Sequence, residues 1–295
     1  MPLIQLDQCP ACEGRALEPY LTCNDYLVSQ QSFPIVQCST CGLRFTNPRP
    51  NNDSLGTYYK SDAYISHNDT GKGVVATAYR LVRSYTLRQK VNQISRLNGG
   101  RGSIFDVGCG TGTFLEACQK KAWRIGGMEP DPDARQVATA RLQTTLLKNL
   151  NEVPATAQFD VVTMWHVLEH VPDLHATLGR LHQLLRPGGT LLIAVPNSQS
   201  WDAGQYGPQW AAYDVPRHLY HFTPQSLKQL VEPVGFREVE QKPMLFDAFY
   251  IAMLSTQHRD GKINYVESLQ KGLQSNLNAA RTGQYSSITY VFKRP

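Results

Sequence analysis

From residue 103 onward the chain alternates short apolar runs with longer stretches whose apolar residues recur every three or four positions. "SIFDV" reads as an apolar strand, 113–122 as a helix, and "RIGGME" as a second strand. A helix over 132–142 leads to "TTLLK", a third strand, and then to "FDVVTM", a fourth. The next helix runs from Pro172 to Leu185 and stops at "RPGG", after which "TLLIAVP" is the fifth strand. Such βαβα repetition predicts a parallel sheet with helices on both faces. A Thr-Pro start opens a helix over 223–234 that ends near Gly235, and "FREVEQKP" and "SITYVFKRP" alternate like strands. The stretch between those two, 244–284, has the apolar spacing of amphipathic helices.

Upstream, residues 74–97 carry helical spacing closed by Gly99 and Gly100, while "FPIVQC" and "LRFTNP" look like strands of a small ribbon. Between them lies a linker rich in Pro, Asn and Ser that holds Tyr58, Tyr59 and Tyr64. The pattern divides the chain into a ribbon (1–50), a linker with a lid helix (51–98) and an α/β domain (99–295). Within the last, 197–222 is a long loop and 244–284 a helical insertion.

Composition narrows the partners only a little. The 29 basic and 24 acidic residues leave a net charge of +5, spread along the chain without a dense Lys/Arg stripe. The apolar runs fall well short of the roughly 20 residues that span a bilayer, and "MPLIQLDQCPAC" lacks the form of a secretory signal. These features predict a soluble, cytoplasmic protein with no membrane partner.

Five of the seven cysteines fall in the first 41 residues, an odd total that argues against a disulfide framework. Cys9 and Cys12 form one C-x-x-C pair, Cys38 and Cys41 a second, and Gly14 and Gly42 suit the tight turn after each. Two such knuckles complete a tetrahedral four-sulfur site, so a structural Zn2+ is expected there. With no open coordination position, that ion would hold structure and do no chemistry. Cys23 lies outside the pattern.

"IFDVGCGTGTF" leads from a strand through Gly108, Cys109, Gly110 and Gly112 into a helix. Glycines there permit a tight turn and close approach of a ligand, and Glu129 at the end of the next strand can accept from both hydroxyls of a ribose. Asp106 stands two residues before the first glycine, where a carboxylate would repel a pyrophosphate but suits a cationic amino group. S-adenosylmethionine (SAM) carries that amino group, a ribose diol and a sulfonium. Asp106-Val-Gly-Cys-Gly-Thr-Gly, Glu129, "FDVV" and "LRPGG" together resemble the class I SAM-dependent methyltransferases, strongly over 100–240. The resemblance implies a Rossmann-like, seven-stranded sheet with an antiparallel last strand. It also implies that Asp106 and Gly108–Gly112 hold the methionyl part and Glu129 the ribose. Where that family places an Asp near adenine this chain has Asn149, the candidate for that contact.

"FDVVTMWHVLEHVPD" holds His166, Glu169 and His170 in the H-x-x-E-H order of inverted zinc peptidases. That chemistry needs one continuous helix, whereas these residues fall between a strand and a helix, at the carboxyl edge of the sheet where ligands bind. The resemblance places Trp165 and His166 near the cofactor, and Glu169 and His170 near its methionyl end or the acceptor. Tyr64, with Tyr58 and Tyr59, is a candidate lid.

The loop 197–222 crowds Trp201, Tyr206, Trp210, Tyr213, Tyr220 and Phe222 with Arg217, His218 and His221. Flat aromatics suit a sugar or planar ring, and Arg217 suits a phosphate or carboxylate. His170, His218 and His221 are candidate bases because imidazole titrates near neutrality, with His218 favoured. A zinc knuckle ahead of a SAM domain resembles methyltransferases of sugar and polysaccharide biosynthesis, so the expected partner is a small, sugar-type acceptor. RNA methylation with the ribbon gripping RNA, and SAM binding without catalysis, are the alternatives. The helical insertion would cover the acceptor or make a homodimer contact.

Overall fold

The computed structural model describes residues 2–59 and 74–295, with side chains described from residue 80 in the second stretch. Tyr64 lies outside the described residues. The strands are β1 (Leu3–Ile4), β2 (Leu17–Asn24), β3 (Ser32–Cys38), β4 (Arg44–Thr46), β5 (Arg49–Pro50), β6 (Ser103–Val107) and β7 (Arg124–Met128). After them come β8 (Phe159–Trp165), β9 (Leu185–Pro196), β10 (Tyr220–His221), β11 (Arg237–Pro243) and β12 (Ser287–Lys293). The helices are α1 (Asn52–Leu55), α2 (Val74–Leu97), α3 (Thr113–Lys120), α4 (Pro132–Leu142) and α5 (Leu174–Leu184). They continue with α6 (Trp201–Tyr206), α7 (Pro224–Val231), α8 (Asp247–Asp260) and α9 (Tyr265–Thr282).

Six strands form the central sheet in the order β11-β12-β9-β8-β6-β7. β7, β6, β8 and β9 are parallel, and β12 runs antiparallel between β9 and β11. This is the Rossmann-like α/β fold, with its antiparallel strand where the resemblance implied one. The expected third strand is reduced to one parallel bridge between Met128 and Leu147. Asn149 causes the shortening: its side chain accepts from Asn151 N at 3.0 Å and turns the chain into a 3-10 turn over Leu150–Glu152.

Two boundaries also shift. Pro172 precedes α5, which is capped by the Asp173 side chain accepting from Ala176 N at 2.9 Å. "RPGG" belongs to β9 as an irregularity, since pairing jumps from Phe159↔Leu185 to Val161↔Thr190.

The cysteine-bearing segment forms a four-stranded sheet, β10-β4-β3-β2, whose edge strand β10 comes from the 197–222 loop. β2 carried no pattern strong enough to be read as a strand. Leu43 and Phe45, both fully buried, belong to one apolar core with Leu178, Ile193 and Phe292. The small sheet is therefore built onto the large one, and Tyr59, just after it, meets His170 in the loop after β8.

Candidate active site

The cofactor side begins where β6 ends. Gly108, Gly110 and Gly112 all adopt positive φ, at 68°, 54° and 76°. Gly108 also has no room for a side chain, because a Cβ would stand 2.7 Å from Val167. Glu129 Oε2 accepts from Gly110 N at 2.7 Å and its Oε1 accepts from Asp131 N at 3.0 Å. Those bonds aim the carboxylate across the glycine turn. Burial raises the Glu129 pKa. Asp106, buried at the end of β6, accepts from Thr163 Oγ1 at 2.5 Å. Burial pushes its pKa up to about 7, with the Thr163 bond and Lys90 opposing. Cys109 is buried beside it, its thiol pushed up by the same loss of solvent. Asn149 caps the 3-10 turn that follows Leu147, its amide donating to Glu152 Oε1 at 3.3 Å.

Lys90 is the residue that sequence pattern missed here. It projects from α2 with Nζ 3.9 Å from the centroid of the Trp165 ring. Burial lowers its pKa, while Asp247 and Asp106 favour the charge from a distance. Helical spacing gave it no mark, because only the docking of α2 on the sheet face, with Val91 and Ile94 against Ile104, Val161 and Leu192, turns this lysine inward.

The loop after β8 does not form a continuous helix: Trp165 ends the strand, His166 has φ 56°, and a 3-10 turn covers Leu168–His170. His166 bridges two carboxylates, with Nε2 3.1 Å from Asp247 Oδ2 and Nδ1 3.4 Å from Glu169 Oε1. Burial opposes its charge, but the two acids outweigh that and raise its pKa to about 9. Trp165 packs edge-on against Phe114.

Residues 59, 169, 170 and 218 meet on the other side of that loop. His170 Nδ1 lies 2.9 Å from Tyr59 Oη and 3.1 Å from the Arg217 carbonyl. A carbonyl only accepts, so Nδ1 carries the proton and Nε2 holds the lone pair. Burial, then the neighbouring His218, lower the His170 pKa to about 4. His218 Nδ1 donates to Ala212 O at 2.8 Å, and its ring stands 4.6 Å from the His170 ring. Glu169 is 1% exposed; its Oε1 faces His166 Nδ1 at 3.4 Å, and among the described residues its Oε2 has no hydrogen-bond partner. One ligand atom from each of Glu169, His170 and His218 lies within 4.8 Å of the others.

His221, the third candidate base, goes elsewhere. Thr46 Oγ1 donates to His218 O at 2.9 Å and so must accept from His221 Nε2 at 3.1 Å. Burial holds the His221 pKa well below its ordinary value. Arg217 also differs from expectation. Its guanidinium is 1% exposed and donates to Asp25 Oδ1 at 3.0 Å, to Asp214 Oδ1 at 2.7 Å and to Tyr58 O at 3.1 Å. No donor face remains for a ligand anion. Tyr206, Trp210, Tyr213, Tyr220 and Phe222 are likewise buried as packing, so the loop's aromatics build its core.

Cys9, Cys12, Cys38 and Cys41 converge with their sulfurs within 4.8 Å of one another. Cys9 and Cys41 Sγ are 3.6 Å apart, as are Cys12 and Cys38 Sγ. All four are free of disulfides, and the separations match neighbouring corners of a tetrahedral thiolate site with metal–sulfur distances of about 2.3 Å. The donor set fits zinc.

A family model described as a methyltransferase domain matches residues 79–241. The ubiquinone biosynthesis O-methyltransferase of Cereibacter sphaeroides (strain ATCC 17029) is 30% identical over 179 residues, 55% of this chain and 71% of that protein. Its counterpart in Rhodopseudomonas palustris (strain BisB5) is 28% identical over 173 residues, 54% of this chain and 67% of that one. Among solved structures, the fold is similar to a 1,6-didemethyltoxoflavin-N1-methyltransferase of Burkholderia thailandensis. There the TM-score is 0.52 at 17% identity, covering 94% of this chain and 99% of that one. A SAM-dependent methyltransferase of Archaeoglobus fulgidus superposes with TM-score 0.51 at 18% identity, covering 79% and 100%.

Proposed function

The chain belongs to the methyltransferase-domain family, as a SAM-dependent methyltransferase of small molecules, and from that premise we propose that it methylates an oxygen of a hydroxylated, sugar-type acceptor. The observation that carries methylation at oxygen is the pairing of His170 and His218 on the far side of the loop that also borders the cofactor turn. The sugar class rests on the likeness of a four-cysteine knuckle ahead of a SAM domain. Both imidazoles have Nδ1–H committed to a carbonyl, so both keep the Nε2 lone pair. The two curated relatives act at oxygen by name, which favours a hydroxyl as nucleophile.

Glu129 would receive the ribose hydroxyls of the cofactor, and Asp106 with the glycine turn its amino group. Lys90 would receive its carboxylate, held in place by the Trp165 face. When bound, the cofactor supplies an electrophilic methyl group on its sulfonium. His170 Nε2 would take the hydroxyl proton as the acceptor oxygen receives the methyl group. Burial keeps that nitrogen unprotonated above about pH 4. Tyr59 and the Arg217 carbonyl hold the ring in the tautomer this requires, and His218 lines the acceptor position beside it. Cys9, Cys12, Cys38 and Cys41 would hold a structural zinc that fixes the sheet bearing β10. Arg44 of that sheet and Arg49 of the neighbouring β1-β5 pair turn inward, to Ser198 O at 2.7 Å and Pro172 O at 3.4 Å, which disfavours an RNA grip.

The test supplies methyl-labelled SAM with two acceptor panels, sugar nucleotides and ring-hydroxylated phenols, and a host lysate split by RNase sensitivity. Mass spectrometry would show an O-methyl sugar. An O-methylated phenol would move the acceptor to the chemistry of the curated relatives. Label in RNase-sensitive polymer, or SAM binding with no product from any arm, would sink the small-molecule reading.

A further inference from the structure

α9 is amphipathic the wrong way round. Its packed side consists of Ser268, Gly272, Ser275 and Ala279, all buried. Gly272 is needed there, because a Cβ would stand 2.4 Å from the Phe249 ring of α8. The large apolar residues stand on the opposite side: Val266 is 69% exposed, Leu269 64%, Leu273 53% and Leu277 60%. They recur every third or fourth position, so at 3.6 residues per turn they form one straight row along the helix. Tyr265, 54% exposed, begins that row, and Leu245, 46% exposed, is pinned beside it by Asn276 Nδ2 donating to its carbonyl at 2.9 Å. A surface helix of a monomer would place these leucines inward.

We propose that this face of α9 is the interface of a two-fold homodimer, centred on Leu273, with Leu269 of one copy meeting Leu277 of the other. Two observations select a second copy. The first is area. The row presents on the order of 500 Å2 of apolar surface, at the upper end of what a monomer leaves open. Doubled across a two-fold axis it reaches about 1,000 Å2, the level a specific interface needs. The second is charge. The row is flanked by Gln270, Gln274 and Asn278, while Glu267 is neutralised by Arg259 at 2.7 Å and Lys271 lies over Trp201. The helix carries only Lys271 and Arg281 as cations beside Glu267, so the row can face a second copy with little repulsion, whereas a bilayer-binding helix would carry a Lys/Arg-rich polar flank. The packed side of α9 rests on α8, whose first residue Asp247 pairs with His166. Dimerisation would thus brace the helix pair behind the cofactor loop without closing the site.

The test is sedimentation of the full-length protein over a concentration series, together with the double variant L269E/L273E. The native chain sediments at twice its 33.0 kDa mass. The double variant sediments as a monomer with its dimer dissociation constant raised at least 100-fold, and it retains the native affinity for S-adenosylhomocysteine, which shows it is folded. As a positive arm, Leu273→Cys cross-links copy to copy on mild oxidation and the native chain does not. A native chain that is monomeric throughout overturns the proposal, as does a double variant that remains dimeric. A monomeric native chain that co-sediments with phosphatidylglycerol vesicles overturns it in favour of a lipid surface.

Discussion

The two sides of the loop after β8 are built by opposite means. On the cofactor side, the contacts that set the glycine turn span short distances in sequence: Gly110 to Glu129 is 19 positions, and Glu129 to Asp131 is two. On the acceptor side, Arg217 reaches Asp25 across 192 positions, Thr46 reaches His218 across 172, and Tyr59 reaches His170 across 111. A phosphate- or nucleoside-binding turn needs only one strand, one turn and one helix. A shaped acceptor position needs surfaces from distant segments, each fixed by buried polar bonds that neither segment can satisfy alone. Reuse of the first side with variation of the second is what lets one fold serve many acceptors.

The largest effect expected from this contrast is structural. Asp25→Ala removes one of the two carboxylates on the buried Arg217 guanidinium, leaving Nη1 with only the Tyr58 carbonyl, and should cost about 3 kcal/mol, seen as a thermal midpoint lowered by roughly 8 °C. A shift below 2 °C would show that Asp214 alone suffices to hold the arginine. Next come the ligand effects, which should separate cleanly between the two sides. Glu129→Ala should weaken S-adenosylhomocysteine binding by about 100-fold in calorimetry, as loss of a charged double acceptor predicts. His170→Ala should lower kcat by roughly 100-fold while leaving that affinity unchanged. If affinity and turnover fall together in His170→Ala, the histidine belongs to the cofactor side. Lys90→Met should weaken S-adenosylhomocysteine by about 10-fold yet leave 5′-methylthioadenosine, which lacks the carboxylate, unaffected. Equal loss for both ligands would reduce the lysine to packing.

The smallest effect concerns the seam between the sides. His166 is held above its ordinary pKa by Asp247 and Glu169, so its ion pairs stabilise the fold fully below about pH 6.5. That contribution fades as the pH rises through about 9. A pH series of thermal midpoints should show His166→Gln about 2 °C below the native protein at pH 6 and equal to it at pH 10. A constant gap would mean the ring matters for shape and not for charge.

The same contrast explains what could be read from the chain before its structure. The parallel sheet was legible because apolar strands alternate with helices of regular spacing, and the glycine turn because three glycines and two carboxylates lie within one βαβ unit. The third strand was not, since the capping by Asn149 that shortens it looks like any polar turn. Arg217 was misread for a general reason: an arginine beside aromatics suits an anion from outside as well as an aspartate 192 positions away. Nothing in the local pattern tells those apart. The cysteine pairs were conspicuous, yet the sheet they support was half hidden, because its edge strand lies beyond residue 200.

That last feature bears on how the protein is made. β4 presents an open edge until β10 arrives, and Tyr220↔Phe45 and His221↔Arg44 pair only once most of the chain has been synthesised. At ribosomal speeds the gap is on the order of 10–30 s. During that interval the metal-binding head is an unfinished sheet tethered to a growing chain. Early occupation of its four thiolates would close it locally, and a head translated alone would keep the edge that β10 normally covers.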